Sequence, residues 1–139
     1  MSNRATDDST ATRTLLAGAA YFAIVFAAGF VLGAVRTLVL VPRVGPFTAV
    51  LLELPVMLVI SWIACGKMLA RFDIPARTAP RLGVGASAFT LLMLAEVVLS
   101  LVAFDRAPSD YLAELGTPHG LLGLAGQVLF ALMPLVHRR

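Results

Sequence analysis

The stretch AVRTLVLVPRVGPFTAVLLELP, residues 34–55, sets Arg36, Arg43 and Glu53 in otherwise apolar chain. At its centre, VPRVGP places two prolines around a glycine, a composition that marks a tight turn. On either side lie runs far longer than a soluble strand, with no alternation of apolar and polar residues. The stretch therefore reads as the corner of a helical hairpin. Arg36 lies as far before the turn centre, between Val44 and Gly45, as Glu53 lies after it. The two are expected at one depth on neighbouring antiparallel helices, forming an ion pair.

The rest of the chain fits a membrane. Of 139 residues, 59% are hydrophobic and 14% charged, against about 25% charged in a soluble domain. Mean hydropathy is +0.89. Four runs reach the roughly 20 apolar residues that cross a bilayer: Thr14 to Val41, Pro46 to Ala70, Pro80 to Phe104 and Pro118 to Val136. In lipid the backbone must satisfy its own hydrogen bonds, so these are helices. The expected fold is all-α: an integral membrane four-helix bundle of two antiparallel hairpins. Pro46, Pro80 and Pro118 suit first helical positions, and Thr117 suits the N-cap of the last helix. Residues 1–13 read as a polar, disordered cytoplasmic tail, and 14–139 as the transmembrane domain. The first run is too long for the apolar core of a cleaved signal peptide.

Lys and Arg set the expected orientation. With the N-terminus inside, the inner segments hold Arg4, Arg13, Lys67, Arg71, Arg77, Arg81, Arg138 and Arg139, and the outer ones Arg36, Arg43 and Arg106. This asymmetry places both termini in the cytoplasm of a multi-pass inner-membrane protein. The net charge of +3 does not indicate nucleic acid, because the basic residues cluster at the ends of apolar runs. Within the outer loop DRAPSDYLAELGTP, SDYLAEL forms a short interfacial helix capped by Ser109 and ended by Gly116. Tyr111, Leu112 and Leu115 are expected against the membrane.

Polar groups inside the spans are the candidate site. Glu96 lies about 12 Å below the outer end of the third helix, and Gln127 about 12–14 Å below Pro118. Arg36 and Glu53 fall at about 8–11 Å. Each long helix thus offers one polar group to the outer half of the bilayer, with His119 at the mouth above them. One arginine cannot serve two separated carboxylates, so Glu96 is expected to be the odd charge. Two readings follow. In the first, Arg36 and Glu53 form a structural clasp fixing the hairpin register. In the second, Arg36, Glu53, Glu96, Gln127 and His119 line an outward-facing polar cavity for a small ligand, an ion or protons. Arg43 is expected to reach the headgroups.

Gly29 and Gly33 form a GxxxG on the first helix, and Gly116, Gly120, Gly123 and Gly126 a small-residue stripe on the fourth. Such residues let helices approach closely, within the chain or across a homodimer seam. Pro55, two residues after Glu53, deprives the Leu51 carbonyl of its usual partner. Trp62 reads as packing. No nucleophile–base pair, phosphate loop or metal-ligand spacing is present, and Cys65 is the single cysteine. No catalytic residue, metal or cofactor is expected. The partners expected are the lipid bilayer and a second copy or a membrane complex.

The segment YFAIVFAAGFVLGAVRTLVLVPRVGPFTAVLLELPVML, residues 21–58, resembles small four-helix inner-membrane proteins of bacteria that carry no assigned function. In those a glycine-rich first helix ends in an arginine, a V-P-R turn follows, and the next helix carries Glu-x-Pro. The matching residues are Gly29, Gly33, Arg36, Pro42, Arg43, Glu53 and Pro55. The resemblance implies a bacterial membrane protein and supplies no activity. Small multidrug exporters share the size but depend on a first-helix glutamate, which this chain lacks.

Overall fold

The structure, a computed structural model, describes residues 2–137. Arg138 and Arg139, counted in the expected topology, and Met1 of the tail lie outside the described residues. The chain is an integral membrane four-helix bundle. Helix α1 (Ser2–Val35) passes through a π-helical turn (Arg36–Leu40) into a short α2 (Val41–Val44). Helices α3 (Pro46–Arg71), α4 (Thr78–Phe104), α5 (Pro108–Leu115) and α6 (Pro118–Val136) follow. The long helices are four candidate membrane spans, and their outer faces are apolar. Leu38, Val102 and Phe104 are among the many large apolar side chains left exposed, as lipid-facing positions must be.

Helix α1 packs against α3 and α4, and α6 packs against the same two. The ring order is therefore α1, α3, α6, α4. Each hairpin, α1 with α3 and α4 with α6, is antiparallel, and the consecutive helices α3 and α4 sit on a diagonal. Below, the turn end of the bundle carries Gly45 and α5. The terminal end carries residues 72–77 and the start of α6's exit from the bundle at Val136.

Several local expectations are corrected. Residues 2–13 are helical rather than disordered. Extending an existing helix adds one hydrogen bond per residue fixed, whereas nucleating one is costly. Thr6, Ser9, Thr10 and Thr12 also turn their hydroxyls back onto carbonyls of the preceding turn. The VPRVGP corner is narrower than its two prolines suggest: the helix continues to Val44 and only Gly45 breaks it. Gly45 adopts φ 83°, a region where L side chains are strained. Pro46 and Pro118 start their helices, but Pro80 is the third residue of α4, not the first. Helix α5 begins at Pro108 after Ala107, whose N–H is held by Asp110 Oδ2 at 3.3 Å, so Ser109 is not its cap. Gly116 follows it in a right-handed conformation. Asp73 and Asp105 close α3 and α4 in the left-handed region that a short polar side chain tolerates.

The core is built from small residues around one large one. Ala17, Tyr21 and Val25 of α1 face Val84, Ala88 and Leu92 of α4, with Ala64, Cys65 and Leu69 of α3 and Phe130 and Met133 of α6. Close approach needs Gly18, where a Cβ would strike Ser87 Oγ, and Gly85, where it would strike the Ala131 carbonyl. The glycines singled out by pattern behave unevenly. Gly126 packs on Leu54 and Gly120 on the Glu114 carbonyl, while Gly123 has open space beside it. Gly29 meets only the tip of Met57, and Gly33 the Arg36 guanidinium.

Tyr21 crosses the bundle diagonal. Its ring is fully buried, stacks on Phe130 at 4.3 Å and donates its hydroxyl to the Phe130 carbonyl at 2.8 Å. That carbonyl is the one Pro134 cannot reach, since proline has no N–H to bond four residues back. The phenol supplies the donor that α6 lacks. Tyr21→Phe should therefore cost about 1–3 kcal/mol, as a buried acceptor loses its partner. In a Pro134→Ala background, where α6 regains its own N–H, the same change should cost less. Equilibrium unfolding of the four proteins in detergent micelles checks this coupling.

Candidate functional site

The π-helical turn sets Arg36. Val41 donates its N–H to the Arg36 carbonyl, five residues back rather than four. In a regular helix the Pro42 ring would press on the carbonyl of Leu38. The wider turn relieves that clash, and such turns often mark functional positions. Arg36 Nη1 lies 2.9 Å from Glu53 Oε2, so the pair expected from the symmetric spacing is present. The contact satisfies the distance of an ion pair but not the alignment of a hydrogen bond, which leaves Glu53 Oε2 without an aligned donor. The arginine side chain is 34% exposed and the carboxylate 11%. The cation thus keeps water or headgroup access while the anion is enclosed, in accord with the long arginine stem.

Glu96 is not the unserved charge that counting cations suggested. Gln127 donates its amide Nε2 to Glu96 Oε1 at 2.6 Å, and Tyr111 donates its hydroxyl to Glu96 Oε2 at 2.7 Å. Both carboxylate oxygens accept from neutral donors on other helices. Tyr111, expected against the membrane, turns inward instead, and Leu112 takes the outward position at 67% exposure. Burial, followed by the hydrogen bond to Glu96 and the nearby charges of Glu96 and Glu114, holds the Tyr111 phenol well above its ordinary value. It remains a proton donor throughout the physiological range. Gln127 keeps one enclosed oxygen, Oε1, without a partner.

The four intramembrane groups therefore fall into two pairs, one in each hairpin: Arg36 with Glu53, and Glu96 with Gln127. His119 joins neither. Its Nε2 lies 3.7 Å from Glu114 Oε1 and 3.4 Å from Thr117 Oγ1. Glu114 also meets Arg106 at 2.6 Å. These partners are exposed enough that such a bridge contributes about 0–1 kcal/mol. Thr117 caps α6 as expected, accepting from the Gly120 N–H at 3.1 Å. Together, Tyr111 and the Arg106–Glu114 bridge fasten α5 across the ends of α4 and α6.

At the terminal end the fold brings together a second polar cluster. Arg81, counted among the basic residues of the inner segments, is buried. Its Nη1 donates to the Pro134 carbonyl at 3.1 Å and to the His137 carbonyl, capping the C-terminal end of α6 from a neighbouring helix. The His137 ring stacks on Trp62 at 4.4 Å and lies over Gly66, where any Cβ would meet it. Trp62 is thus a platform for the imidazole rather than simple filler. Desolvation, and secondarily the Arg81 charge, push the His137 imidazole below its ordinary value of 6.5.

An open groove of about 520 Å³ lies between α1 and α4, lined by Leu15, Gly83, Ala86, Ser87, Thr90 and Leu91. It is apolar, and its hydroxyls are spent on their own backbone. Glu53, Glu96 and Gln127 do not line it. Among the described residues no group of three or more His, Cys, Asp or Glu side chains is placed to hold a metal. Comparison of the chain with known protein families, with curated proteins and with solved structures returned no match.

Two outcomes follow from these geometries. Removing Arg36 or Glu53 alone strands a charge, so the double substitution Arg36→Gln with Glu53→Gln should cost less than the sum of the singles. A coupling of about 0.5–3 kcal/mol is expected in a double-mutant cycle read by unfolding. For His137, a lowered folded value means that the unfolded chain binds the proton more readily. Its neutral-form stability is intact above about pH 6.5 and is lost as pH falls through the lower folded value. Fluorescence of Trp62, the single tryptophan, should report this acid transition. His137→Gln should abolish the transition, and His119→Gln should leave it.

Proposed function

We propose that this chain is a non-enzymatic multi-pass protein of the bacterial inner membrane, with both termini cytoplasmic, acting as an accessory subunit. Its intramembrane polar groups act as clasps that fix helix register and leave the outer faces for lipid and for a membrane partner, whether a second copy or another protein. One observation carries this reading: each carboxylate within the spans is already met from within the chain, Glu53 by Arg36 and Glu96 by Tyr111 and Gln127.

The orientation draws support from an asymmetry between the two ends. At the turn end, Arg36 and Arg106 pair with Glu53 and Glu114, and Arg43 is exposed. At the terminal end, Lys67, Arg71 and Arg77 are exposed and unpaired among the described residues. With Arg4, Arg13 and Arg81 they outnumber the three basic residues of the turn end, and an excess of Lys and Arg marks the cytoplasmic side. The polar-cavity reading has less support, since four of the five groups assigned to it fall into two pairs, His119 lies apart from them, and the groove lies elsewhere.

Glu96→Gln and Tyr111→Phe separate the two readings. Clasps predict faster amide exchange across residues 106–117 in both variants, with proton flux in proteoliposomes of the wild type equal to that of empty vesicles. A wild-type flux that Glu96→Gln removes would replace the clasp reading with the transporter.

A further inference from the structure

The exposed face of α3 changes character abruptly at its terminal end. Val59, Ile63, Lys67 and Arg71 follow at intervals of four, which places them along one ridge of the helix. Val59 is 59% exposed and Ile63 52%, and both cations are exposed beyond them. Val56 continues the apolar surface inward at 47% exposure. From Val56 to Lys67 the helix rises about 16 Å. That matches the roughly 15 Å of one leaflet's hydrocarbon, half of a 30 Å core. The two cations therefore sit where headgroup phosphates lie, at the end of a track one acyl chain long.

Charge accounting favours an anion there. The side chains of Lys67 and Arg71 make no hydrogen bond or ion pair with another described residue, and neither does that of Arg77 at the start of α4. The acidic residue in the intervening loop, Asp73, is engaged by Arg13 at 3.7 Å and through its carbonyl at 3.3 Å. Arg81 is buried against the end of α6 and unavailable. Asp7 and Asp8 lie on the α1 extension, with Asp8 about 8 Å farther along the helix axis than Arg13. Residues four apart on a helix hold their Cβ atoms about 5–6 Å apart, so an ammonium and a guanidinium can share one phosphate. The guanidinium fork suits two phosphate oxygens.

We propose that Lys67 and Arg71 form a binding site for the phosphodiester headgroup of an anionic phospholipid, whose acyl chain lies along Val56, Val59 and Ile63. The site is distinct from the clasps at the turn end and does not depend on the accessory role.

Trp62 lies beside this ridge, is 42% exposed and is the single tryptophan, so it serves as the probe. The full chain is reconstituted above pH 7, where His137 is neutral, in phosphatidylcholine containing phosphatidylglycerol with brominated acyl chains. Quenching of Trp62 then gives the preference for the anionic lipid over brominated phosphatidylcholine. A basic side chain near a membrane surface contributes about 1 kcal/mol, about fivefold in affinity. The preference should fall about fivefold in Lys67→Gln and in Arg71→Gln, and vanish in the double variant. Arg43→Gln, at the opposite end, should retain it. Equal unfolding midpoints in pure phosphatidylcholine establish that the variants are folded. Should the double variant fail to fold, the two single variants carry the test. A wild-type preference near one, or a preference unchanged in the variants, overturns the site. Displacement of the anionic lipid by millimolar glycerol phosphate overturns the lipid assignment in favour of a soluble phosphate.

Discussion

Hydrocarbon offers no hydrogen bonds, so each polar group carried into the bilayer must be met by the chain itself. Much of this structure's detail follows from that demand. The backbone meets it by forming helices, and its three in-span interruptions by proline each need a remedy or a tolerant neighbourhood. Before Pro42 the ladder widens to a π-helical turn, and Val41 reaches back to Arg36. At Pro134 the missing donor comes from Tyr21, on the opposite corner of the bundle. Pro55 sits within α3 without ending it. The Tyr21 bond does more than satisfy one carbonyl: it ties the diagonal pair α1 and α6, whose backbones make no close approach of their own.

Side chains obey the same demand in a graded way. Deep positions hold no charge without a partner on another helix. Glu53 receives a cation, while Glu96 receives two neutral donors. The difference has a physical basis. A carboxylate within a span can be held by directed hydrogen bonds from a phenol and an amide, which bring no second buried charge. Arg36 can serve Glu53 because its stem lets the guanidinium remain partly exposed. Toward the headgroups the pairing relaxes. Arg106 pairs with Glu114 at the turn end, where Arg43 alone stays open, while the terminal end leaves Lys67, Arg71 and Arg77 open to the interface among the described residues. The two faces of the molecule therefore present different electrostatics to the membrane, a property set by pairing as much as by the number of basic residues.

Packing supplies the remaining constraint. Lipid tails are as apolar as leucine, so burial of apolar area contributes little to holding these helices together, and close approach takes its place. Gly18 against Ser87 and Gly85 against the Ala131 carbonyl bring α4 close to both α1 and α6. The GxxxG motif of α1 is used for neither contact. Spacing alone does not reveal which side of a helix meets a neighbour, because in lipid the inward and outward faces have similar hydropathy.

The sequence by itself determined the class, the four spans, their boundaries to within a few residues except at the start of α1, and the Arg36–Glu53 pair. These depend on quantities that run along one dimension: hydropathy over a bilayer's thickness, helix rise per residue, and equal spacing about a turn. The tertiary structure decided the ring order of the helices, the rescue of Phe130's carbonyl by Tyr21, the capping of α6 by Arg81 and the inward turn of Tyr111 onto Glu96. Each joins residues far apart in the chain through a rotation about a helix axis. Where both faces of a helix are apolar, local pattern does not encode that rotation. It is fixed by which polar groups find one another once the helices have packed.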